Sequence, residues 1–228
     1  MNYPGYWITF EGGEGSGKST QIKYASDLLQ SMGLDVLFLR EPGGTEVGDS
    51  IRGTLFDRFE SPVLDKTEVM LFQASRAQIV GEKIKPHLAN GGVVLEDRHG
   101  DSSIVYQGYA KGVGAFKIDQ FNKFSTDGLK PDLTILLDIT AENGIMRRKK
   151  GSLFGEEWNR LDALALAFHE KVVYGYKILH DYDQENRWVM VDANRSIDEV
   201  RVDVERVVVN RLMSSGHVES YASSSERR

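Results

Sequence analysis

Five short, apolar, β-rich runs recur along the chain, at 6–11, 36–40, 93–97, 133–138 and 188–192. Each is compact and nearly continuous in apolar character, the pattern of a strand covered by helices on both faces. Longer stretches with helical periodicity lie between and around them, over 18–32, 47–55, 65–90, 102–109, 115–126, 141–149, 160–182 and 197–212. Gly33, Pro86 with Gly91 and Gly92, and Gly128 before Pro131 punctuate the pattern as breakers. Short strands alternating with long helices predict βαβ units around a parallel sheet, an α/β fold. Right-handed crossovers restrict the topology without fixing the strand order. From about Met213 the chain turns Ser-rich and aperiodic, and 213–228 is read as a disordered tail behind a single domain over 1–212.

Composition narrows the class. A chain of 228 residues buries one core, with room for a small lid. There is no cysteine, which removes disulfides and Cys-ligated metals from consideration. The first residues carry no basic, apolar leader, and no apolar run reaches the roughly 18 residues needed to span a bilayer. The expectation is a soluble cytoplasmic protein without a membrane partner. A formal net charge of -6 argues against a nucleic-acid partner, since gripping a phosphate backbone calls for a basic surplus. Any phosphate held here belongs to a small molecule in a locally basic pocket.

The first strand runs directly into Gly12, Gly13, Glu14, Gly15, Ser16, Gly17, Lys18 and Ser19, and a helical pattern opening on Lys18, Ser19 and Thr20 follows. This is G-x-x-x-x-G-K-S. Glycines let backbone amides turn inward around phosphate oxygens, and the helix N-terminus adds free N–H groups and its dipole. Lys18 is placed to reach the β- and γ-phosphates of a nucleoside triphosphate, and Ser19 to offer a hydroxyl to Mg²⁺. The third strand ends on Asp97, which is either an ordinary strand-end acid or a second magnesium neighbour. A phosphate loop alone does not separate kinases, GTPases, motors and ATPases.

Further motifs do. They are Arg40-Glu41-Pro42-Gly43-Gly44-Thr45, Leu71-Phe72-Gln73-Ala74-Ser75-Arg76, Asp97-Arg98-His99, and Ser103 with Tyr106-Gln107-Gly108. Two more follow in Asn159-Arg160-Leu161-Asp162 and Phe168-His169-Glu170-Lys171-Val172. With the phosphate loop, in this order, they make the chain resemble the thymidylate kinases from Trp7 to about Leu212. The resemblance implies a three-layer P-loop kinase fold with a central five-stranded parallel sheet, order 2-3-1-4-5, flanked by helices. It implies transfer of the ATP γ-phosphoryl group to dTMP with Mg²⁺ present, and a homodimer.

The residues fit a pyrimidine acceptor. Phe72 and Arg76 are four apart on one helix and project from one face; by themselves they suit core packing with a surface ion pair, and with the resemblance they become a stacking platform beside a donor for a carbonyl oxygen. Ser103 and Gln107 repeat that spacing and are read as contacts to the polar edge of the base. By resemblance, Arg98 grips the acceptor phosphate and Arg52 assists. Tyr106 stands against the sugar 2′ position, Glu14 accepts from the 3′-hydroxyl, and Glu41 and Pro42 belong to the same pocket. Asp97 is read as a magnesium neighbour or orienting residue rather than a proton acceptor, because positioning and charge neutralisation carry most of this chemistry.

Some thymidylate kinases place an arginine in the phosphate loop directly after the acidic residue; here that position is Gly15. The positive charge is then expected from a lid at about 147–162, with Arg147, Arg148 and Arg160 as candidates. Lys149 and Lys150 extend the basic run, which as a charge run also suits a solvated face. Adenine is expected near Asp192, Ala193 and Asn194. Rival readings are a kinase for another nucleoside monophosphate, dUMP above all, and a nucleotide-binding homologue without turnover.

Overall fold

The computed structural model describes residues 3–57, 60–153, 161–162 and 164–218, with 152 and 153 described by their backbone alone. Five strands fall where the apolar runs predict them: β1 (Tyr6–Glu11), β2 (Val36–Arg40), β3 (Val93–Asp97), β4 (Leu133–Asp138) and β5 (Trp188–Asp192). All pairings are parallel, in the order β2-β3-β1-β4-β5. The central strands β1, β3 and β4 are buried on both faces, which is why they read as apolar runs, while the edge strands β2 and β5 are partly exposed.

The alternation of side chains along β1 divides the core. Tyr6, Ile8 and Phe10 point to one face, where α1 (Lys18–Ser31) and α9 (Ile197–Ser214) supply Ile22, Leu29, Val204 and Val208. Trp7 points to the other face and packs on Ile79, Val80 and Ile84. On that second face Leu136 and Trp188 meet Val172 and Tyr176 of α8 (Leu166–Asp181). The layers are thus helix, sheet, helix. The remaining helices are α2 (Glu46–Phe56), α3 (Asp65–Ile79), α4 (Lys85–Ala89), α5 (Gly100–Ser103), α6 (Ala115–Thr126) and α7 (Ala141–Leu153).

Several helical expectations need correction. The stretch over 65–90 is not one uniform helix: a π-helical turn at Val80–Ile84 joins α3 to α4. The stretch over 102–109 starts as the short α5 and widens into a π-helical segment at Ile104–Ala110. Such widened turns concentrate at functional sites, and this one carries Tyr106 and Gln107. The helix expected over 160–182 begins at Leu166, because Leu161 and Asp162 form a turn ahead of it. The expected tail also starts too early. Helix α9, opened by a capping box between Ser196 and Glu199, continues to Ser214. Beyond it His217 packs on the ring of Tyr6 and lies 2.9 Å from the Pro4 carbonyl, and Val218 rests against the core. Residues 219–228 lie outside the described residues. No helix among the described residues is long and apolar enough to cross a membrane.

Because all strands are parallel and in register, their carboxyl ends share one edge. Phe10 and Arg40 both pair with Asp97, and Asp138 pairs with Asp192. β3 and β4 flank β1 on opposite sides, so the loop leaving β1 sits where an open α/β sheet forms its ligand crevice.

Candidate active site

That edge opens into a cleft of about 1180 Å³. The phosphate loop forms its floor. Gly15 and Gly17 have φ of 67° and 89°, in the left-handed region where a side chain would be strained. A Cβ on Gly15 would stand 2.1 Å from the Gly144 carbonyl oxygen, and one on Gly144 would stand 2.3 Å from the Glu14 carbonyl oxygen. The loop and helix α7 therefore meet backbone to backbone. Lys18 Nζ donates to the carbonyls of Gly12 and Gly13, at 3.1 and 3.0 Å, and to Ser16 Oγ at 3.2 Å. Gly12 and Gly13 serve the floor through these carbonyls and do not themselves line the cleft; Glu14 through Thr20 do. Burial and the neighbouring Arg98 charge lower the Lys18 ammonium to about 8. Ser19 Oγ donates to Asp97 Oδ2 at 2.8 Å. A hydroxyl and a carboxylate side by side are the hard oxygen donors that Mg²⁺ prefers, so these two residues fit that ion.

Arg98 occupies the centre. Its φ of 67° is unusual for a residue with a side chain and costs about 1–3 kcal/mol. Backbone bonds on either side hold it: Arg98 N donates to Phe10 O at 3.1 Å, and His99 N to Glu11 Oε1 at 2.8 Å. The guanidinium then reaches Gly12 O, Ser102 Oγ, Tyr176 OH and Glu14 Oε1, at 3.0, 3.2, 3.1 and 2.9 Å. Tyr106 OH donates to the same Glu14 oxygen at 2.8 Å, and the Arg98 guanidinium stands 5.1 Å from the Tyr106 ring centre. Burial works to raise the Glu14 carboxyl, but Arg98, Lys18 and the Tyr106 hydroxyl outweigh it and hold the group at about 2.

Glu11, with Ser102 and Tyr176, is a member of this cluster that sequence reasoning missed. It is fully buried and accepts from Ser102 Oγ, Tyr176 OH and His99 N, at 2.6, 2.8 and 2.8 Å. Burial, reinforced by the nearby Asp101, raises its carboxyl. Glu11 directly precedes the phosphate loop, which was its only signal. Tyr176 lies 165 residues away, and nothing in its local sequence marks the contact.

Phe72, Arg76, Ser103, Tyr106 and Gln107 also line the cleft. Arg76 is buried and largely engaged. Nε and NH2 donate to Glu41 Oε2 at 2.9 and 2.6 Å, NH1 to Asn122 Oδ1 at 2.8 Å, and NH2 to Ser103 Oγ at 3.0 Å. Among the described residues, one of the five guanidinium protons, on NH1, is left without a partner. Behind Glu41, His99 Nδ1 lies 3.0 Å from Glu41 Oε1 and 3.2 Å from Glu96 Oε2. Burial opposes a charged imidazole there, yet the two carboxylates raise it to about 9. Trp7 Nε1 donates to Glu96 Oε2 at 3.1 Å and closes the network. Pro42 and Arg52 line the cleft as well; Arg52 NH1 donates to Pro42 O at 3.0 Å and the guanidinium lies over Phe56.

Two arginines of α7, Arg147 and Arg148, are each held by contacts outside their own helix. Arg147 donates to Ala193 O at 2.7 Å and to the carbonyls of Asn194 and Arg195 at 3.3 Å. Arg148 makes a two-point contact with the buried Asp162, at 3.0 and 3.1 Å. Both line the cleft. Arg160 lies outside the described residues, with the rest of 154–160. Of the expected adenine neighbours, Ala193 lines the cleft and Asp192 and Asn194 do not.

The phosphate loop and the side chains of Phe72, Arg76 and Gln107 share one cleft, with Arg98 touching the loop at Gly12 and the ring of Tyr106. The protein family described as Thymidylate kinase matches residues 10–204. The chain belongs to the thymidylate kinase family. A thymidylate kinase of Roseiflexus castenholzii is 41% identical over 223 residues, covering 94% of this chain and 97% of that one. One from a Thermoanaerobacter species is 44% identical over 211 residues, covering 91% and 99%. The crystal structure of thymidylate kinase from Ehrlichia chaffeensis matches with a TM-score of 0.69 at 29% identity, covering 90% of this chain and 98% of that one. As a thymidylate kinase, the chain is a nucleoside monophosphate kinase that phosphorylates dTMP, with ATP as the donor the family implies.

Proposed function

We propose that the cleft transfers the ATP γ-phosphoryl group to dTMP in line, giving dTDP and ADP, with the residues acting as follows. Backbone amides of the phosphate loop cradle the donor phosphates, and Lys18 exchanges its carbonyl partners for β- and γ-phosphate oxygens. Ser19 and Asp97 would hold Mg²⁺, which when bound neutralises charge on those phosphates. Arg98, helped by Arg52, holds the acceptor phosphate; Arg is suited to this by its fork of donors. Glu14 accepts from the sugar 3′-hydroxyl, and Tyr106 crowds the 2′ position. Phe72 stacks on the base, and Arg76, Ser103 and Gln107 address its polar edge. Glu41 and Pro42 shape that pocket, Glu41 by orienting Arg76. Arg148 and Arg160 serve the transferring group from a lid over about 147–162, and Arg147 orders the adenine loop.

The observation that carries this reading is the continuity of the cleft from the phosphate loop to Phe72, Arg76 and Gln107, with Arg98 touching the loop at Gly12 and the ring of Tyr106. A homodimer belongs to the same reading, supported by exposed Met70 on α3 and Phe116 and Phe124 on α6, apolar surface that a second copy would cover. Light scattering on the purified chain tests it. A cytoplasmic setting, supported by the absence of cysteine, completes the reading.

The test is ADP formation with MgATP and dTMP, dUMP, dCMP, dGMP or AMP. dTMP is expected to be the best acceptor, with dUMP weaker by about 10–200-fold for the missing methyl contact. A purine acceptor outperforming dTMP, or ATP binding with no acceptor-dependent ADP, would overturn it.

A further inference from the structure

The Gln107 amide is oriented from behind by a residue that does not line the cleft. Glu68, one helical turn before Phe72 on α3, is fully buried. Its Oε1 accepts from Gln107 Nε2 at 2.8 Å and lies 2.8 Å from Lys111 Nζ. An ionised carboxylate only accepts, so it takes the NH₂ end of Gln107 and turns the carbonyl Oε1 away from itself. Among the described residues no donor reaches that Oε1, and Gln107 lines the cleft. One turn earlier, Ser103 Oγ accepts from Arg76 NH2 at 3.0 Å, which leaves the Ser103 hydroxyl proton to be donated.

We propose that Glu68, paired with Lys111, sets which pyrimidine the cleft accepts by locking Gln107 with its carbonyl toward the base. This rests on the reading that Gln107 meets the acceptor base. A 4-oxo pyrimidine presents an N3–H donor beside an O4 acceptor. A 4-amino pyrimidine presents an N3 acceptor beside an amino donor. An acceptor from Gln107 next to a donor from Ser103 matches the first edge and opposes the second like to like. An unrestrained glutamine could flip and serve either. Here a flip would set the Gln107 carbonyl against the Glu68 carboxylate and strip a buried charge of one of its donors. Purines with the 6-oxo, N1–H edge share the pattern, so this contact does not discriminate against them.

The experiment measures kcat/KM for dTMP, dUMP and dCMP with MgATP in Glu68→Gln, where either end of the new amide can face Gln107. The dTMP/dCMP ratio is expected to fall at least ~10-fold, as when a polar match becomes optional. The dTMP/dUMP ratio should stay within about twofold, because those two bases share the edge. A folded variant whose dTMP/dCMP ratio is unchanged overturns the proposal, as does an equal loss for all three acceptors. Lys111→Gln keeps Glu68 but removes its cation; a smaller fall in the same ratio is expected, and this variant decides the matter if Glu68→Gln does not fold. Gln107→Leu separates the two levels of the argument. If it leaves dTMP/dCMP unchanged, Gln107 does not meet the base and the underlying reading fails. If it collapses the ratio while Glu68→Gln does not, only the role of Glu68 fails.

Discussion

Arg98 donates to Glu14 Oε1 at 2.9 Å, so the group assigned to the acceptor phosphate and the group assigned to the sugar hydroxyl hold each other. A substrate arriving between them meets a pair already desolvated and aimed, which reduces the reorganisation needed at the moment of transfer. Arg98→Ala should lower kcat/KM for dTMP by roughly 10²–10³, the usual cost of removing a preorganised donor. Arg98→Lys should recover little, because one ammonium cannot reach the four acceptors that the guanidinium now spans. Steady-state ADP formation over a range of dTMP concentrations measures both.

The same pair makes a prediction about acid. Glu14 is held at about 2 in the folded chain, below its ordinary 4.5. Below its ordinary value the unfolded chain binds this proton and the folded chain does not, so stability falls as pH drops. The contribution is fully present above about pH 5 and declines by about 1.4 kcal/mol per unit between about 4 and 2. Urea unfolding of wild type and Glu14→Gln at pH 6 and pH 3.5 should show the advantage of the carboxylate shrinking. An equal difference at both values would count against the coupling.

Glu41 and Arg76 form a buried ion pair with His99 and Asn122 as further partners. Removing one side of such a pair leaves an uncompensated charge in the core, typically at 3–5 kcal/mol. Glu41→Ala is therefore expected to lower unfolding stability by about that amount. It should also raise KM for dTMP more than it changes kcat, because Arg76 loses its orientation rather than its chemistry. Denaturant titration and acceptor kinetics on the same preparation would separate the two effects.

Gly15 tolerates no side chain. Its φ of 67° and the 2.1 Å approach of a Cβ to Gly144 O both oppose one. Gly15→Ala should destabilise the chain by about 1–3 kcal/mol and raise KM for ATP. Thermal unfolding with and without MgATP measures the loss, and a larger deficit is expected for any bulkier residue.

Much of the fold was legible because central parallel strands announce themselves as apolar runs, and all five strand boundaries coincide with the runs. The π-helical turns were not, since the extra residue at Val80–Ile84 and Ile104–Ala110 leaves no composition signature and arises from packing against neighbouring helices. In the site, residues next to motifs or at helical spacing could be named from sequence, and Phe72, Arg76, Ser103 and Gln107 do line the cleft. What could not be read were the partners behind them. Glu11, Glu68, Asn122 and Tyr176 act through long-range hydrogen bonds, and a lone polar residue in a helical or strand pattern reads as an exposed one until the chain is folded.

The contact between Gly15 and Gly144 has a consequence for how this chain could change over evolutionary time. The backbone of α7 fills the space into which a side chain at position 15 would grow, and α7 is the helix that carries Arg147 and Arg148. A loop-borne arginine and the present seating of α7 are therefore alternatives. No single substitution leads from one arrangement to the other. An arginine gained at 15 would first unseat the helix bearing Arg147 and Arg148, the cations proposed above to serve the site. Two small residues on different elements thus act as a lock on ancestry, holding the descendants of this chain to the source of positive charge they inherited.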